Sequence, residues 1–185
     1  MTKGELREIA EKTVADKTIL GSEYFSPAEA FAGLAEAIID RHDSGSLPQE
    51  IKTNRPLGPV EMPDSRPGIS RVTLKEVYEL AGQASRFIHQ SGCLPSSLEI
   101  RTARIGSGSL FALFSAVYLN MISGSLGSDF EVPSFDPYPR TNEEEIVQAV
   151  RDLKSWPVHR PDLDMNRIVE LTKLQLWTLK PAHRK

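Results

Sequence analysis

Apolar residues recur at helical spacing in six segments of the chain, separated by stretches rich in glycine and proline. The segments that begin at Ser26, Thr73 and Thr141 start with serine or threonine followed three residues later by glutamate. This spacing is typical of a capping box, in which the two side chains satisfy free backbone N–H groups of the first helical turn. The six predicted helices begin near residues 3, 26, 73, 110, 141 and 163.

The most apolar of these helices follows the glycines at positions 106 and 108. Its apolar residues cover more than one face: Leu110, Phe111, Leu113, Phe114, Val117, Tyr118, Met121 and Ile122. We therefore expect it to be the central helix, with Phe111, Phe114, Val117 and Tyr118 among the most buried side chains. Residues 98–101 alternate briefly between apolar and charged side chains and form a candidate extended segment. The pattern predicts an all-α fold of about six helices with tandem helix-turn repeats and at most short extended segments.

Residues 26–48 and 73–95 match without gaps at an offset of 47 positions. Five of the seven residues from His42 to Pro48 recur between His89 and Pro95. The shared glycine can close a helix in the left-handed conformation, and the proline after it prevents the helix from continuing. Each histidine then lies near a helix C-terminus, where an imidazole can bond a free carbonyl. The match predicts an internal repeat of one helix and one turn with structural histidines.

The domain prediction is a single compact domain over residues 1–185. A proline-rich connector covers residues 49–70, and a C-terminal helical pair covers residues 141–179. Two interpretations of the connector remain open, because its prolines fit either a packed surface loop or a hinge between two lobes.

Composition narrows the class of protein. The net charge of −3 offers no general reason to expect nucleic acid, and no stretch reaches the roughly 18 apolar residues that a membrane span needs. Residues 151–185 hold eight basic against four acidic residues, which fits either an anionic partner or the ends of helices. The single cysteine, Cys93, excludes an internal disulfide and a multi-cysteine metal site. The N-terminal segment has no apolar signal-peptide core, so the expected location is the cytoplasm.

One family resembles part of the chain. Residues 73–124 are similar to a pseudomurein-binding repeat, with Ala81, Phe87 and Ile88 on the first helix and then Gly92-x-Leu94-Pro95. A second helix follows, patterned as Phe111, Leu113, Phe114 and Ala116. Residues 26–48 match the same unit in part, but prolines replace its second helix. The resemblance implies attachment to cell-wall glycan.

The sequence gives little support for a catalytic site. Gly106-x-Gly108 lacks the lysine and the third glycine of nucleotide-binding loops, so a plain helix start is the simpler interpretation. Asp136, His159 and Asp162 would form an acid–base site only if the fold brought them into one cleft. Asp164 is better explained as a helix cap. We therefore predict no catalytic residue, no cofactor and no metal site.

The remaining candidates are aromatic. Tyr138, Trp156 and Trp177 lie near prolines, and Arg160 could hold an anionic or hydroxylated group beside them. These four residues form the predicted ligand site, although both tryptophans could instead belong to the core. The predicted function is a non-catalytic binding or adaptor protein whose partner is a protein or a glycan. The alternatives are a cell-wall glycan-binding module and a small enzyme with an unrecognised acid and histidine site.

Overall fold

The helices of the protein follow the predicted order. The computed structural model describes residues 1–52, 54–139, 143–154 and 164–180. Within these ranges the α-helices are α1 (Lys3–Asp16), α2 (Pro27–Ser44), α3 (Leu74–Ser91), α4 (Ser107–Ser123), α5 (Glu143–Lys154) and α6 (Met165–Gln175). A short 3-10 turn, Leu176–Thr178, continues α6. None of the described helices is long and apolar enough to cross a membrane.

The prediction of an all-α fold is wrong, because the described residues also form two antiparallel two-stranded sheets. One sheet is a hairpin of β2 (Ser97–Ile100) and β3 (Ala103–Gly106), which contains the expected extended segment. The other pairs β1 (Arg71–Thr73) with β4 (Asp129–Glu131). Strands of three residues are too short to show an alternation of apolar and polar residues. The two strands of this second sheet, β1 and β4, are also far apart in the sequence. The protein is therefore a mixed α/β structure.

The two helices of the internal repeat have matching ends. Each contains 18 residues, begins with a complete capping box at Ser26 or Thr73, and ends at a glycine. Gly45 has a φ of 75° and Gly92 a φ of 71°, so both residues occupy the left-handed region that favours glycine. The predicted pair of helices with glycine ends is confirmed.

Helices α2 and α3 pack against each other in antiparallel directions. The His42 ring near the end of α2 lies 4.2 Å from the Tyr78 ring near the start of α3. Further along α3, the Ser85 hydroxyl donates at 2.6 Å to a carboxylate oxygen of Glu36, which comes before His42 on α2. These two contacts lie in the order that an antiparallel pair of helices requires.

Helix α4 occupies the centre of the fold, as its composition predicts. Phe111, Phe114, Val117 and Tyr118 are all fully buried, and α4 packs against both α1 and α2. Burial raises the pKa of Tyr118 to about 12, because the phenolate would lose its hydration. The expectation of a central, almost entirely buried helix is confirmed.

The connector is attached to the rest of the protein at several points. The Ile51 N–H donates to the Met1 carbonyl at 2.8 Å. Leu57 forms a parallel bridge beside Cys93, and the Gly68 N–H donates to the Arg104 carbonyl at 2.9 Å. These backbone bonds hold the connector against α1, the end of α3 and the β2–β3 hairpin.

Candidate binding groove

The described residues of the predicted aromatic site, Tyr138 and Trp177, lie in different environments. Trp177 is fully buried, its ring lies 6.4 Å from Phe31 and 6.1 Å from Phe111, and its indole N–H donates to the Pro137 carbonyl at 3.1 Å. Tyr138 is half-buried, with the Lys173 ammonium 5.6 Å from its ring centre. Trp156 and Arg160 lie outside the described residues. The structure thus encloses the Trp177 ring in the core.

Two of the candidate acids, Asp136 and Asp164, lie within the described residues. Asp136 is exposed, and His159 and Asp162 lie outside the described residues. Asp164 caps α6, where its carboxylate accepts the N–H groups of Asn166 at 3.0 Å and Arg167 at 3.2 Å. The interpretation of Asp164 as a helix cap is confirmed.

His89, Ser85 and Glu36 form a cluster between α2 and α3. The His89 Nδ1 lies 2.8 Å from the Ser85 carbonyl oxygen, one turn earlier in α3. The Ser85 hydroxyl donates to a Glu36 carboxylate oxygen at 2.6 Å, and its oxygen also lies 3.4 Å from the His89 Nδ1. The hydroxyl of Ser85 thus joins α3 to the Glu36 carboxylate of α2. In the ranges that the structure describes, no group of three or more acidic, histidine or cysteine residues could hold a metal ion.

The start of α4 is enclosed by other parts of the chain. The backbone of Asp64 lies against Gly106, and the backbone of Asp136 lies against Gly108, so a side chain at either glycine would collide with it. The Ser107 hydroxyl donates to the Pro95 carbonyl. These contacts explain both glycines by close backbone approach, as expected for a plain helix start.

Glu29, the capping-box glutamate of α2, is almost entirely buried and binds Lys180. The Lys180 Nζ lies 2.8 Å from one carboxylate oxygen and 3.1 Å from the other. Burial raises the pKa of the Glu29 carboxyl, but the hydrogen bonds from Lys180 and Ser26 outweigh it and leave that pKa lowered. This pair joins the segment after α6 to the start of α2.

Glu76, the capping-box glutamate of α3, has an equivalent role. The Arg101 guanidinium binds it at 2.6 and 2.7 Å from the turn of the β2–β3 hairpin. This bidentate contact, together with the Thr73 N–H, lowers the pKa of Glu76 to about 2. Glu29 and Glu76 are both engaged in structural pairs, so neither carboxylate fits the role of a general acid.

The feature with the clearest binding chemistry is an apolar groove of about 680 Å³. One wall is the connector, and the other is α6 with the turn that follows it. The described residues that line the groove are Leu57, Gly58, Pro59, Val60, Cys93, Leu171, Leu174, Gln175, Thr178 and Leu179. None of them carries a charge, and none is aromatic.

Local backbone contacts hold the connector wall in place. The Leu57 N–H donates to the Gly92 carbonyl at 2.9 Å, and the Leu94 N–H donates to the Leu57 carbonyl at 3.0 Å. Gly58 lies so close to α6 that a Cβ atom there would be 2.6 Å from the Leu174 carbonyl oxygen. The bond to Gly92 at the end of α3 thus holds Leu57 in place, and the next residue, Gly58, lies directly against α6.

Large apolar side chains remain exposed along both walls. Leu57 is 61% exposed, Val60 58%, Leu171 42% and Leu179 58%. Single exposed apolar residues are common, but a contiguous group of them marks an interaction surface. Sequence reasoning missed this groove because its two walls are more than 100 positions apart. The available signal was the apolar residues within a proline-rich connector.

Comparison with protein-family models, with curated proteins and with solved structures gives no match to this chain. The resemblance to pseudomurein-binding repeats therefore stays a hypothesis.

Proposed function

We propose that the protein is a non-catalytic binding or adaptor protein that holds a partner protein in its apolar groove. The observation that carries this proposal is the exposure of Leu57, Val60, Leu171 and Leu179 around one uncharged groove. Side chains of this type contribute to association by leaving water, and well-packed apolar anchors carry most of the energy of an interface.

The chemistry of the groove favours a protein segment over a glycan. Recognition of a sugar uses aromatic faces beside polar groups, whereas the described lining residues include no aromatic ring. Their polar side chains other than the thiol of Cys93 are those of Gln175 and Thr178. A partner with an apolar face, such as one side of an amphipathic helix, would match this surface.

Peptide display tests the proposal. The protein is immobilised at low density, so that its copies do not meet, and is exposed to a library of displayed peptides. We expect it to select peptides with apolar anchors at helical spacing. The variant Leu171→Glu should lose their binding, because it places a charge on the groove wall. The matched control is Val14→Glu, since Val14 is 43% exposed on α1 and does not line the groove.

Two results would contradict the proposed function. One is the absence of any selected peptide with apolar anchors. The other is equal binding of the selected peptides by the wild type and by Leu171→Glu, since that result would place the binding elsewhere.

A further inference from the structure

We propose that a second cavity of the protein binds a small zwitterionic molecule with an apolar body, about the size of a dipeptide. The cavity has a volume of about 560 Å³ and lies where the end of α1, the middle of α4 and the segment from β4 to Asp136 meet. We call it the α1–α4 cleft. The inference is independent of the proposed function, because no described residue lines both this cleft and the apolar groove.

The inner wall of the α1–α4 cleft is apolar. Ala112 and Phe135 line the cleft, and both are buried. Ala112 and Ala116 lie about one turn apart on α4, and their small side chains leave room in front of the helix. The ring of Phe135 adds an aromatic surface. This wall can therefore take up the apolar part of a ligand.

Charged groups of both signs line the same cleft. Lys17 comes from the end of α1, and Glu131 and Asp136 come from β4 and the segment after it. All three side chains are exposed, and none of them forms a hydrogen bond or an ion pair within the part of the chain that the structure describes. The cleft thus offers one cation and two carboxylates that do not pair with one another. A ligand that carries both a carboxylate and an ammonium group would match them.

The backbone of Lys17 supports a role for its side chain. Lys17 ends α1 with a φ of 50° and a ψ of 45°, in the left-handed region. The residues that end α2, α3 and α4 in this conformation are all glycines, namely Gly45, Gly92 and Gly124. A Cβ atom disfavours the left-handed conformation, so glycine would suit this helix end as well. Of these four helix ends, the one that keeps a side chain is the one that lines the cleft.

Isothermal titration calorimetry with the dipeptide leucylphenylalanine tests the inference. The two end charges of this dipeptide can be removed one at a time, by amidation of its carboxylate or by acetylation of its amine. We expect the wild type to bind the free dipeptide and to bind each blocked form at least about tenfold more weakly, because contacts between charged groups are stronger than neutral ones.

Substitutions then identify which side chain meets which end of the dipeptide. Lys17→Gln should weaken binding of the free dipeptide by about tenfold and remove its advantage over the amidated form, since the two changes delete the same contact. The double variant Glu131→Gln, Asp136→Asn should remove the advantage over the acetylated form in the same way. The matched control is Lys52→Gln, which removes an exposed lysine outside the cleft and should keep the affinity and both preferences.

Lys17→Gly separates a role in binding from a role in the fold, because a basic side chain also suits the negative end of a helix. We expect this variant to unfold at a higher urea concentration, since its φ favours glycine, and to lose the preference for a free carboxylate. A lower denaturation midpoint would show that the lysine stabilises the end of α1, and it would overturn the inference.

Three other results would overturn the inference: no binding of the free dipeptide at millimolar concentration, equal binding of the free and blocked forms, or a Lys17→Gln variant that still prefers the free carboxylate. The apolar groove is tested separately. Val14 lines the cleft and Leu171 lines the groove, so Val14→Glu should weaken dipeptide binding and Leu171→Glu should leave it unchanged. The opposite pattern would place the dipeptide in the groove, which would refute this inference and keep the proposed function.

Discussion

Trp177 offers a sharp test of the core, because the same residue was a candidate for ligand binding. Its side chain is fully buried between Phe31 and Phe111, and its indole N–H donates to the Pro137 carbonyl. Trp177→Ala removes these contacts and leaves a cavity, so we expect a loss of about 3–5 kcal/mol in the free energy of unfolding. Trp177→Phe keeps most of the packing but leaves the carbonyl without its donor, which should cost about 1–3 kcal/mol.

Urea denaturation followed by far-ultraviolet circular dichroism measures both losses, since the substitutions remove one of the two tryptophans that fluorescence would report. The matched control is Leu179→Ala. Leu179 lies two positions away and is 58% exposed, so its truncation should change the stability by less than about 0.5 kcal/mol. A loss below about 1 kcal/mol for Trp177→Ala would refute the placement of this ring in the core.

Three further predictions test the packing and the ion pairs. Phe114→Ala should cost about 3–5 kcal/mol on denaturant titration, and a loss near zero would show that α4 is peripheral. Gly58→Ala should destabilise the protein by about 1–3 kcal/mol, because the new methyl group would meet the Leu174 carbonyl; an unchanged denaturation midpoint would contradict this contact. Arg101→Gln should lower stability at neutral pH. Arg101 is the largest of the contacts that lower the pKa of Glu76 to about 2, so the difference from the wild type should be complete above about pH 4.5 and disappear as the pH falls through about 2. A stability difference that does not change with pH would contradict this role of the Arg101–Glu76 pair.

The helices were predictable because their signals are local. A capping box at Ser26 or Thr73 and a glycine end at Gly45 or Gly92 each act within a few residues, so the sequence alone indicates them. The β1–β4 pair was not predictable, since Val72 lies opposite Phe130 although α3, the β2–β3 hairpin and α4 lie between them in the sequence.

The groove was beyond sequence reasoning for a similar reason. Its connector wall depends on the bridge between Leu57 and Cys93, and its other wall depends on the position of α6. Trp177 shows the opposite difficulty, because a tryptophan near prolines fits both a ligand site and a core. Only the tertiary contacts decide which of the two it forms.

The reactivity of Cys93 tests the central claim most directly, because this thiol lines the groove and is the single cysteine of the chain. The rate at which a maleimide labels the thiol is measured for dilute protein alone, and then with an occupant at about ten times its dissociation constant. The occupant is a selected peptide. If the groove is the binding site, mass action predicts that labelling slows by about tenfold. An unchanged labelling rate while the occupant is bound would contradict the account.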